Sequence, residues 1–534
     1  MTQQVPAEQQ KAAPRQAEEK QPREAQSKGK EKEEDEFAIK PIRLSKSPEL
    51  EFNAFMLLLN CVKDVDLTAS DFVKGISLMS QRGYIYQVYL RMRTLVLQWN
   101  YKVEDATTIM SKGLVKSEFK QFLEKLAQAI SAGVRLREFN RVQATRYMIQ
   151  FEANYNRIIE RLRMVSEMFS ALVSSISFMA VSMLISSMTV GLGNPTTVLI
   201  TTASSVAAIV CTMVILIRMF TPRERVLIKS EYMPFNLHRF HALNKPLLIV
   251  CGCMGFGLPA VLLHTPVSAN LAVAIGVPMA VAGVPLLLVG RAAKRRVAQV
   301  ARSEEQYSAF IKNFGEAYAV TASAKESIKI LTHGDYGALD ENIYNMLARL
   351  EGGMTSDTAW KCFSEECGSY LIQYHTEALR DSLALGASAA RSSEEIFSSF
   401  NAAQSRRAKR DQVSGFLKAM IIPLQLCFAA VLMFVQAIVV IFSLIAQQAA
   451  QYIVLLRPID PVLVSYYSLA IIASCIAGSA VGISIVEGQS EFDFPYNLGL
   501  LLVATGVIVA LTSFGADALL AQFSNMHLGS TTIT

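Results

Sequence analysis

The sequence predicts an all-α integral membrane protein with two repeated cytoplasmic helical bundles and about seven transmembrane helices. Hydrophobic residues make up 51% of its 534 residues and charged residues only 18%, and the mean hydropathy is +0.30. Several long runs contain no charge, which is typical of membrane spans. In addition, the chain resembles itself at an offset of 253 residues, which predicts that one structural unit occurs twice.

The longest predicted helix covers residues 141–190, because neither glycine nor proline occurs between Gly133 and Gly191. In its first half, apolar residues recur at alternating spacings of three and four and form one stripe. The stripe consists of Met148, Phe151, Tyr155, Ile158, Leu162, Val165 and Phe169. We expect it to lie in a bundle core, with a homodimeric coiled coil as the alternative. After Glu167 the charges cease for 50 residues, so the same helix is predicted to enter the membrane; two helices joined near Glu167 are the other interpretation.

Five charge-free runs predict the membrane spans. Two runs are too long for one span, and Gly and Pro residues break them at 191–195 and 264–266. The seven predicted spans are 168–190, 196–217, 246–263, 267–290, 419–445, 463–486 and 497–516.

The distribution of Lys and Arg predicts the orientation in the cell membrane. Of the 51 bases, 50 fall in the four regions 1–50, 51–167, 218–245 and 291–418. Because cytoplasmic loops carry the excess of Lys and Arg, these regions are predicted to be cytoplasmic, with the N-terminus inside and the C-terminus outside. The turn at 487–496 fits less well, since it contains three acids and no base.

Composition also divides the chain into domains. The first segment is rich in charge and poor in apolar residues, so it cannot bury enough surface to fold, and it lacks the apolar core of a signal peptide. The predicted domains are a disordered tail (1–46), a cytoplasmic helical domain (47–166), four spans with the basic loop 218–245 (167–290), a second cytoplasmic helical domain (291–418), three spans (419–516) and a C-terminal tail (517–534).

The predicted repeat rests on order and spacing more than on identity. The offset of 253 residues pairs Ala106 with Ala359, Gly133 with Gly386, and Arg157 with Arg410. The last helix of the second copy differs, because Gly415 and Pro423 replace Leu162 and Ser170 of the first copy. Proline removes a backbone donor, so we expect a kink where this helix enters the membrane.

This architecture resembles the type II secretion system F domain family. Its G-x-[ST]-x-[DE]-x-A turn is similar to the sequence Gly353-Met354-Thr355-Ser356-Asp357-Thr358-Ala359, with Leu385-Gly386 in support. The additional hairpin between the repeats and the two further spans at the end resemble the archaeal branch, the platform proteins of the archaellum and of archaeal pili. The resemblance covers about residues 50–516.

The resemblance implies a non-enzymatic membrane platform for an archaeal type IV filament. It implies that a hexameric secretion ATPase docks on the cytoplasmic domains and that its motion is passed to the assembly of archaellin or pilin subunits. The resemblance leaves three types of filament as alternatives: an archaellum, an adhesive pilus and a DNA-exchange pilus.

The residues themselves predict no catalytic, cofactor or metal site. No G-x-x-x-x-G-K-[ST] sequence is present to hold nucleotide phosphates. The glycine-rich stretch 251–257 is expected to let helices approach within the membrane. Cys362, Cys367 and His375 are metal-ligand types, but the two cysteines are five residues apart, roughly 140° around a helix, so buried structural roles are expected.

A polytopic transporter of a neutral solute is the alternative function. It depends on the sequences Gly276-Val277-Pro278 and Gly283-Val284-Pro285, which could interrupt a membrane helix as in transporters. Against it, the predicted span interiors contain no ionisable side chain of the kind that lines a substrate path.

Two groups of bases are the predicted partner-binding residues. They are Arg135, Arg137 and Arg141 at the start of the long helix, and Arg223, Arg225, Lys229 and Arg239 in the basic loop. The 26 residues from Arg141 to Glu167 span roughly 39 Å as helix, beyond the Debye length of about 8 Å, so the first group cannot serve lipid headgroups. Alternatively, these three arginines form an ordinary solvent-exposed surface that binds no partner. The loop is expected to set topology and contact membrane lipids, and docking of an acidic partner would be additional. A homodimer is the expected oligomer, and no nucleic-acid partner is predicted.

Overall fold

A computed structural model describes residues 48–78, 83–189, 194–222, 246–264, 272–448, 460–488 and 493–530. Throughout these ranges the chain is helical and contains no β-strand, which confirms the predicted all-α class. The helices are α1 (Pro48–Cys61), α2 (Ala69–Leu78), α3 (Tyr84–Leu97), α4 (Val103–Lys112), α5 (Glu118–Ser131), α6 (Leu136–Thr189), α7 (Pro195–Phe220), α8 (Pro246–Leu262), α9 (Val277–Thr321), α10 (Ala324–Leu331), α11 (Asp340–Glu351), α12 (Ser356–Cys367), α13 (Tyr370–Ala384), α14 (Ala389–Gln448), α15 (Pro461–Glu487) and α16 (Asp493–Ser530).

Local sequence explains where several helices begin and end. The side chains of Ser117, Ser323 and Thr355 each accept a hydrogen bond from the backbone N–H three residues later, capping α5, α10 and α12. Gly133 and Gly386 have φ angles of +72° and +84°, the left-handed conformation that ends a helix at little cost for glycine.

The predicted long helix is confirmed as one unbroken element, α6, of 54 residues. Its apolar stripe lies in a core within the chain: Tyr155, Leu162 and Phe169 are buried in a cluster with Val413 and Leu417 of α14. The bundle-core interpretation of the stripe is therefore correct, since other helices of the same chain already cover it.

The chain divides into two compact units. The first comprises the residues up to Tyr147 together with Asp381–Ala387, and the second comprises Met148–Arg380 and the residues from Ser388 onward. The core of the first unit is rich in aromatic rings that meet mostly edge to face or tilted, including Phe52, Phe55, Tyr89, Phe119 and Phe122.

Six helices in the described residues are long and apolar enough to cross a membrane; they lie within α6, α7, the segment Ala274–Thr321, α14, α15 and α16. The predicted span 246–263 corresponds to α8, a shorter apolar helix of 17 residues. One turn of α8, Cys253–Gly257, and the turn Ala272–Gly276 before α9 are π-helical. Six long helices and one short one thus occupy the positions of the seven predicted spans.

Two of the helices that contain predicted spans extend well beyond the ends of those spans. The helix that contains the span 267–290 continues as α9 to Thr321, well into the segment predicted as the second cytoplasmic domain. Similarly, α14 runs for 60 residues through Pro423 without a break in the helix. The proline leaves one backbone carbonyl without its helical donor, and the helix continues through it; the kink expected there stays a prediction.

Glycines at intervals of seven hold α9 and α16 unusually close together. A Cβ built at Gly283 would lie 2.8 Å from the carbonyl oxygen of Gly499, and one at Gly276 would lie 2.9 Å from that of Gly506. The two Gly-Val-Pro sequences that suggested a broken transporter helix therefore serve this contact, with Pro285 inside the continuous α9. Of the glycines in 251–257, Gly255 packs against Ala282 and Leu502, whereas Gly252 and Gly257 have open space beside them.

Candidate functional site

A cavity of about 660 Å³ lies between α9 and α14, next to the turn that joins α15 to α16. Four charged residues from these elements form an ion cluster at its floor: Lys294, Lys418, Glu487 and Asp493. Lys294 Nζ lies 2.9 Å from Glu487 Oε1 and 3.6 Å from Asp493 Oδ1, and Lys418 donates to the same Glu487 oxygen. The cluster thereby ties α9, α14, α15 and α16 together at one end of the membrane helices.

Arg410 of α14 closes the same end of α15. Its side chain is only 2% exposed, and it donates hydrogen bonds to the carbonyl oxygens of Val486 (2.9 Å) and Ile485 (3.3 Å). These carbonyls belong to the last turn of α15, where a positive charge is stabilised by the helix dipole. The chain then turns at Gly488, whose φ of +132° favours glycine.

A second, largely buried ion pair also lines the cavity. Arg407 of α14 donates two hydrogen bonds, of 2.9 and 2.8 Å, to the carboxylate of Glu304 in α9. Ser369 donates to the same carboxylate and also caps α13 by accepting from the N–H of Ile372. Both bonds come from Arg407 Nη1, one to each carboxylate oxygen, and such charge-assisted bonds are stronger than neutral ones. The pair therefore links α9 to α14, and Ser369 links it to the start of α13.

A third contact joins the two longest helices, α6 and α14. The guanidinium of Arg406 lies 3.0 Å from Glu152 and stacks over the rings of Phe151 and Tyr155, at 5.0 and 5.7 Å from their centroids. Lys409 donates to Asn156, which is 253 residues earlier in the chain. Residues separated by about the predicted repeat offset are thus in direct contact.

The ion cluster explains two of the three acids in the turn 487–496, Glu487 and Asp493, which fitted poorly with the distribution of bases; Glu491 lies outside the described residues. Glu487 pairs with Lys294 and Lys418, and Asp493 pairs with Lys294, so the end of α15 and the start of α16 lie at the same end of the membrane helices as these two lysines. The sequence analysis did not identify Lys294 and Lys418 as the partners of these acids. The available signal was a carboxylate at the very end of an apolar run, which requires a buried or interfacial base nearby.

The turn from which the family resemblance came has a structural role. Gly353 has a φ of +84° and ends α11, and Thr355 caps α12. Asp357 lies in the first turn of α12 and pairs with Arg380 at 2.9 Å, while Ala359 is fully buried. Each residue of the pattern is accounted for by helix termination, capping or packing.

Cys367 and His375 are buried, as the sequence predicted, and their hydrogen bonds are structural, whereas Cys362 is only half-buried. Asn342 donates to Cys367 Sγ, and the His375 ring contacts the Leu371 carbonyl at 2.8 Å and Ser399 Oγ at 3.3 Å. Burial lowers the pKa of His375 from 6.5 to about 3, so the ring is neutral at physiological pH. No group of three metal-binding side chains occurs among the described residues.

Three of the seven predicted partner-binding bases are described by the structure, and four are not. Arg135, Arg137 and Arg141 are exposed at the start of α6. Within the described ranges, no hydrogen bond or ion pair involves their side chains. Arg223, Arg225, Lys229 and Arg239 lie outside the described residues.

The fold and the ion cluster define the class: a multi-pass, all-α integral membrane protein whose longest helices are joined by partly buried ion pairs. The sequence is similar to flagella accessory protein J of Methanococcus voltae, with 24% identity over 345 residues, or 63% of this chain and 61% of that protein. It is also similar to flagella accessory protein J of Methanocaldococcus jannaschii, with 24% identity over 376 residues, or 68% of this chain and 65% of that protein. The chain thus spans slightly less than two thirds of the length of these relatives. No family model matches the chain, and no solved structure matches it.

Proposed function

We propose that this protein is the membrane platform of an archaeal type IV filament, an archaellum or a pilus. It would be a non-enzymatic assembly and anchor protein without a cofactor that couples a hexameric secretion ATPase in the cytoplasm to the assembly of archaellin or pilin subunits. Two sets of observations support the proposal: the similarity to two flagella accessory proteins J and an architecture suited to transmitting motion.

The observation that carries the proposal is the presence of three helices much longer than a bilayer. The helices α6, α9 and α14 have 54, 45 and 60 residues, or roughly 81, 68 and 90 Å, against about 30 Å of hydrocarbon. Because each is continuous, a displacement at its far end is transmitted to its membrane segment. The Lys294–Glu487–Lys418 cluster and the Arg407–Glu304 pair would make the membrane ends of α9 and α14 respond together.

The proposed repeat is supported by helix boundaries. At the offset of 253, the end of α5 at Ser131 corresponds to the end of α13 at Ala384, and the start of α6 at Leu136 to the start of α14 at Ala389. Gly133 and Gly386 also share one hydrogen-bond pattern, in which the next N–H bonds to the carbonyl five residues earlier. We propose that the two cytoplasmic segments are copies of one unit.

The proposed dock for the ATPase is the basic cluster Arg135, Arg137 and Arg141. Arg135 and Arg137 lie at the N-terminus of α6, where a base opposes the helix dipole and costs about 0.3–1 kcal/mol, so these two bases are not there to stabilise α6. An acidic partner surface would compensate for that cost. Opposite charges would raise the rate of association, and salt would lower both this rate and the affinity.

The test is to replace Arg135, Arg137 and Arg141 together by Glu and measure binding of the purified ATPase and filament assembly in cells. Binding is expected to weaken by more than about a hundredfold, since like charges across an interface cost several kcal/mol, and filaments are expected to be lost. The control variant reverses Lys112, Lys116 and Lys125, which are also exposed in the first unit. Wild-type affinity of the arginine variant at low salt would contradict the proposed dock and make the loop 218–245 the next candidate.

We further propose that the N-terminus is cytoplasmic and the C-terminus is outside. Single cysteines at Asn194 and Gln451 should then react with an impermeant thiol reagent applied to intact cells, whereas cysteines at Ser230 and Ser323 should not. Labelling at Ser230 from outside would contradict this orientation.

A further inference from the structure

The membrane core contains polar side chains that no protein group satisfies. Gln425 of α14 is fully buried, and both its amide oxygen and its amide nitrogen are without a hydrogen-bond partner among the described residues. The same holds for Ser479 Oγ of α15, Thr505 Oγ1 of α16 and the amide oxygen of Gln436. Because a membrane interior offers no bulk water, such groups are very costly unless something else bonds to them.

Gln425 and Ser479 lie at similar distances from the ion cluster, measured along their helices. Gln425 is seven residues beyond Lys418 along α14, and Ser479 is eight residues before Glu487 along α15. At 1.5 Å per residue, they lie about 10 and 12 Å from the ion cluster. Thr505 is 12 residues beyond Asp493, or about 18 Å along α16.

The three helices that carry these groups pack against one another in all three pairings. Gln436, deeper along α14, already bridges this junction by donating to Ser465 of α15 at 2.7 Å. At the other end, Asn497 of α16 donates to Ser484 of α15 and to Glu487 in the ion cluster. Polar contacts between the helices therefore bracket the unsatisfied groups on both sides.

We propose that the junction of α14, α15 and α16 is a hydrated site that binds water molecules inside the membrane. Water fits the chemistry because it can both donate and accept hydrogen bonds: the Gln425 amide and the two hydroxyls offer donors and acceptors, and the Gln436 amide oxygen offers an acceptor. An ion does not fit, since the described span interiors 419–442, 463–486 and 497–516 contain no Asp, Glu, Lys, Arg or His to balance its charge. Buried waters characteristically bond to two to four otherwise unsatisfied polar groups. The site depends on the membrane helices alone and not on the proposed filament function.

Two buried thiols in the membrane core provide a matched pair of reporters. Cys475 lies four residues before Ser479, on the same face of α15, and Cys251 lies in α8; both are at most 2% exposed. In X-ray radiolytic footprinting of the full-length protein in nanodiscs, water produces hydroxyl radicals where it is bound. Cys475 is expected to be oxidised several times faster than Cys251, because Cys475 lies one helical turn from Ser479 of the proposed site and Cys251 lies on a different helix.

The variant Gln425→Leu/Ser479→Ala removes the groups that hold the water, so the oxidation rate of Cys475 should fall to that of Cys251. Equal rates for the two thiols in the wild-type protein would overturn the proposal without any variant. A second measurement uses Gln425→Met, which keeps the side-chain length. If the amide is dry and unsatisfied, this change raises Tm and refutes the site; if the amide binds water, Tm stays the same or falls.

Discussion

Replacing Gly283 by Ala tests whether close backbone contact holds α9 against α16. The added Cβ would lie 2.8 Å from the Gly499 carbonyl oxygen, the Val503 amide nitrogen and one Val503 methyl carbon. Two of these atoms are backbone, so a rotamer change cannot relieve the overlap. To reach an ordinary contact of at least about 3.4 Å, the helices must separate by roughly 0.6 Å, and overpacking of this kind costs about 1–3 kcal/mol.

The sign of the effect depends on two opposing terms. Glycine in a helix interior is about 1 kcal/mol less favourable than alanine, so the substitution also relieves a backbone cost. With backbone atoms on the opposite side, the overlap should exceed that gain, and we expect a net loss of about 1–2 kcal/mol. Gly415→Ala is the control, because no atom lies within 4 Å of its Cβ position; it should stabilise α14 by up to about 1 kcal/mol.

Thermal unfolding in nanodiscs would measure the difference. Gly283→Ala should lower Tm by a few degrees and Gly415→Ala should raise it slightly, since about 1 kcal/mol corresponds to roughly 2–4 °C for a large domain. The double variant Gly283→Ala/Gly499→Ala should lose less than the two single variants together, because once the helices separate the second methyl fits. If Gly283→Ala raises Tm as much as Gly415→Ala, the close contact does not exist.

Two further predictions concern charged and titratable groups. The pKa of His375 is lowered to about 3 in the folded protein, so its contribution to stability is complete above pH 6.5 and is lost as the pH falls toward 3; the loss is about 2 kcal/mol between pH 6.5 and 5. His375→Phe should abolish this part of the pH dependence of Tm, and an unchanged pH profile would show that the ring is not buried and neutral. Glu487→Gln should cost about 1–3 kcal/mol, because Lys294 and Lys418 are left with one acid between them. The exposed pair of Arg163 and Glu167 is the control, and Glu167→Gln should lower the free energy of unfolding by less than about 0.5 kcal/mol. Equal losses for the two variants would mean that the ion cluster stabilises the fold no more than an exposed ion pair does.

The helical part of the fold could be predicted because its causes are local. The absence of Gly and Pro from 134–190 is sufficient to predict α6, and glycine is the residue that permits the turn at 133. The continuation of α9 from the membrane to Thr321 was not predicted, because the drop in hydropathy after Gly290 marks a change of surroundings and not a helix end. The appearance of charged residues after Gly290 shows where the hydropathy changes, but it does not show whether the helix ends there.

The candidate site was beyond sequence reasoning for a different reason. The partners in the ion cluster are separated by 69 residues for Lys418 and Glu487 and by 193 for Lys294 and Glu487, and no local pattern links such positions. The glycine contact between α9 and α16 did leave a readable signal. Gly276, Gly283 and Gly290 recur at intervals of seven, as do Gly499 and Gly506, a spacing that places small residues on one face of a helix.

The contact between α6 and α14 has a consequence for the synthesis of the protein. Tyr155 and Leu162 of α6 are covered by Val413 and Leu417 of α14, which the ribosome makes about 250 residues later. At about 5–20 residues per second, α6 waits roughly 12–50 s for its covering helix. During that interval its apolar stripe is available to wrong partners, including the α6 of another nascent chain. Translation that stops before residue 389 is therefore expected to yield a membrane-inserted fragment with an uncovered stripe, which is a suitable target for chaperones and proteases.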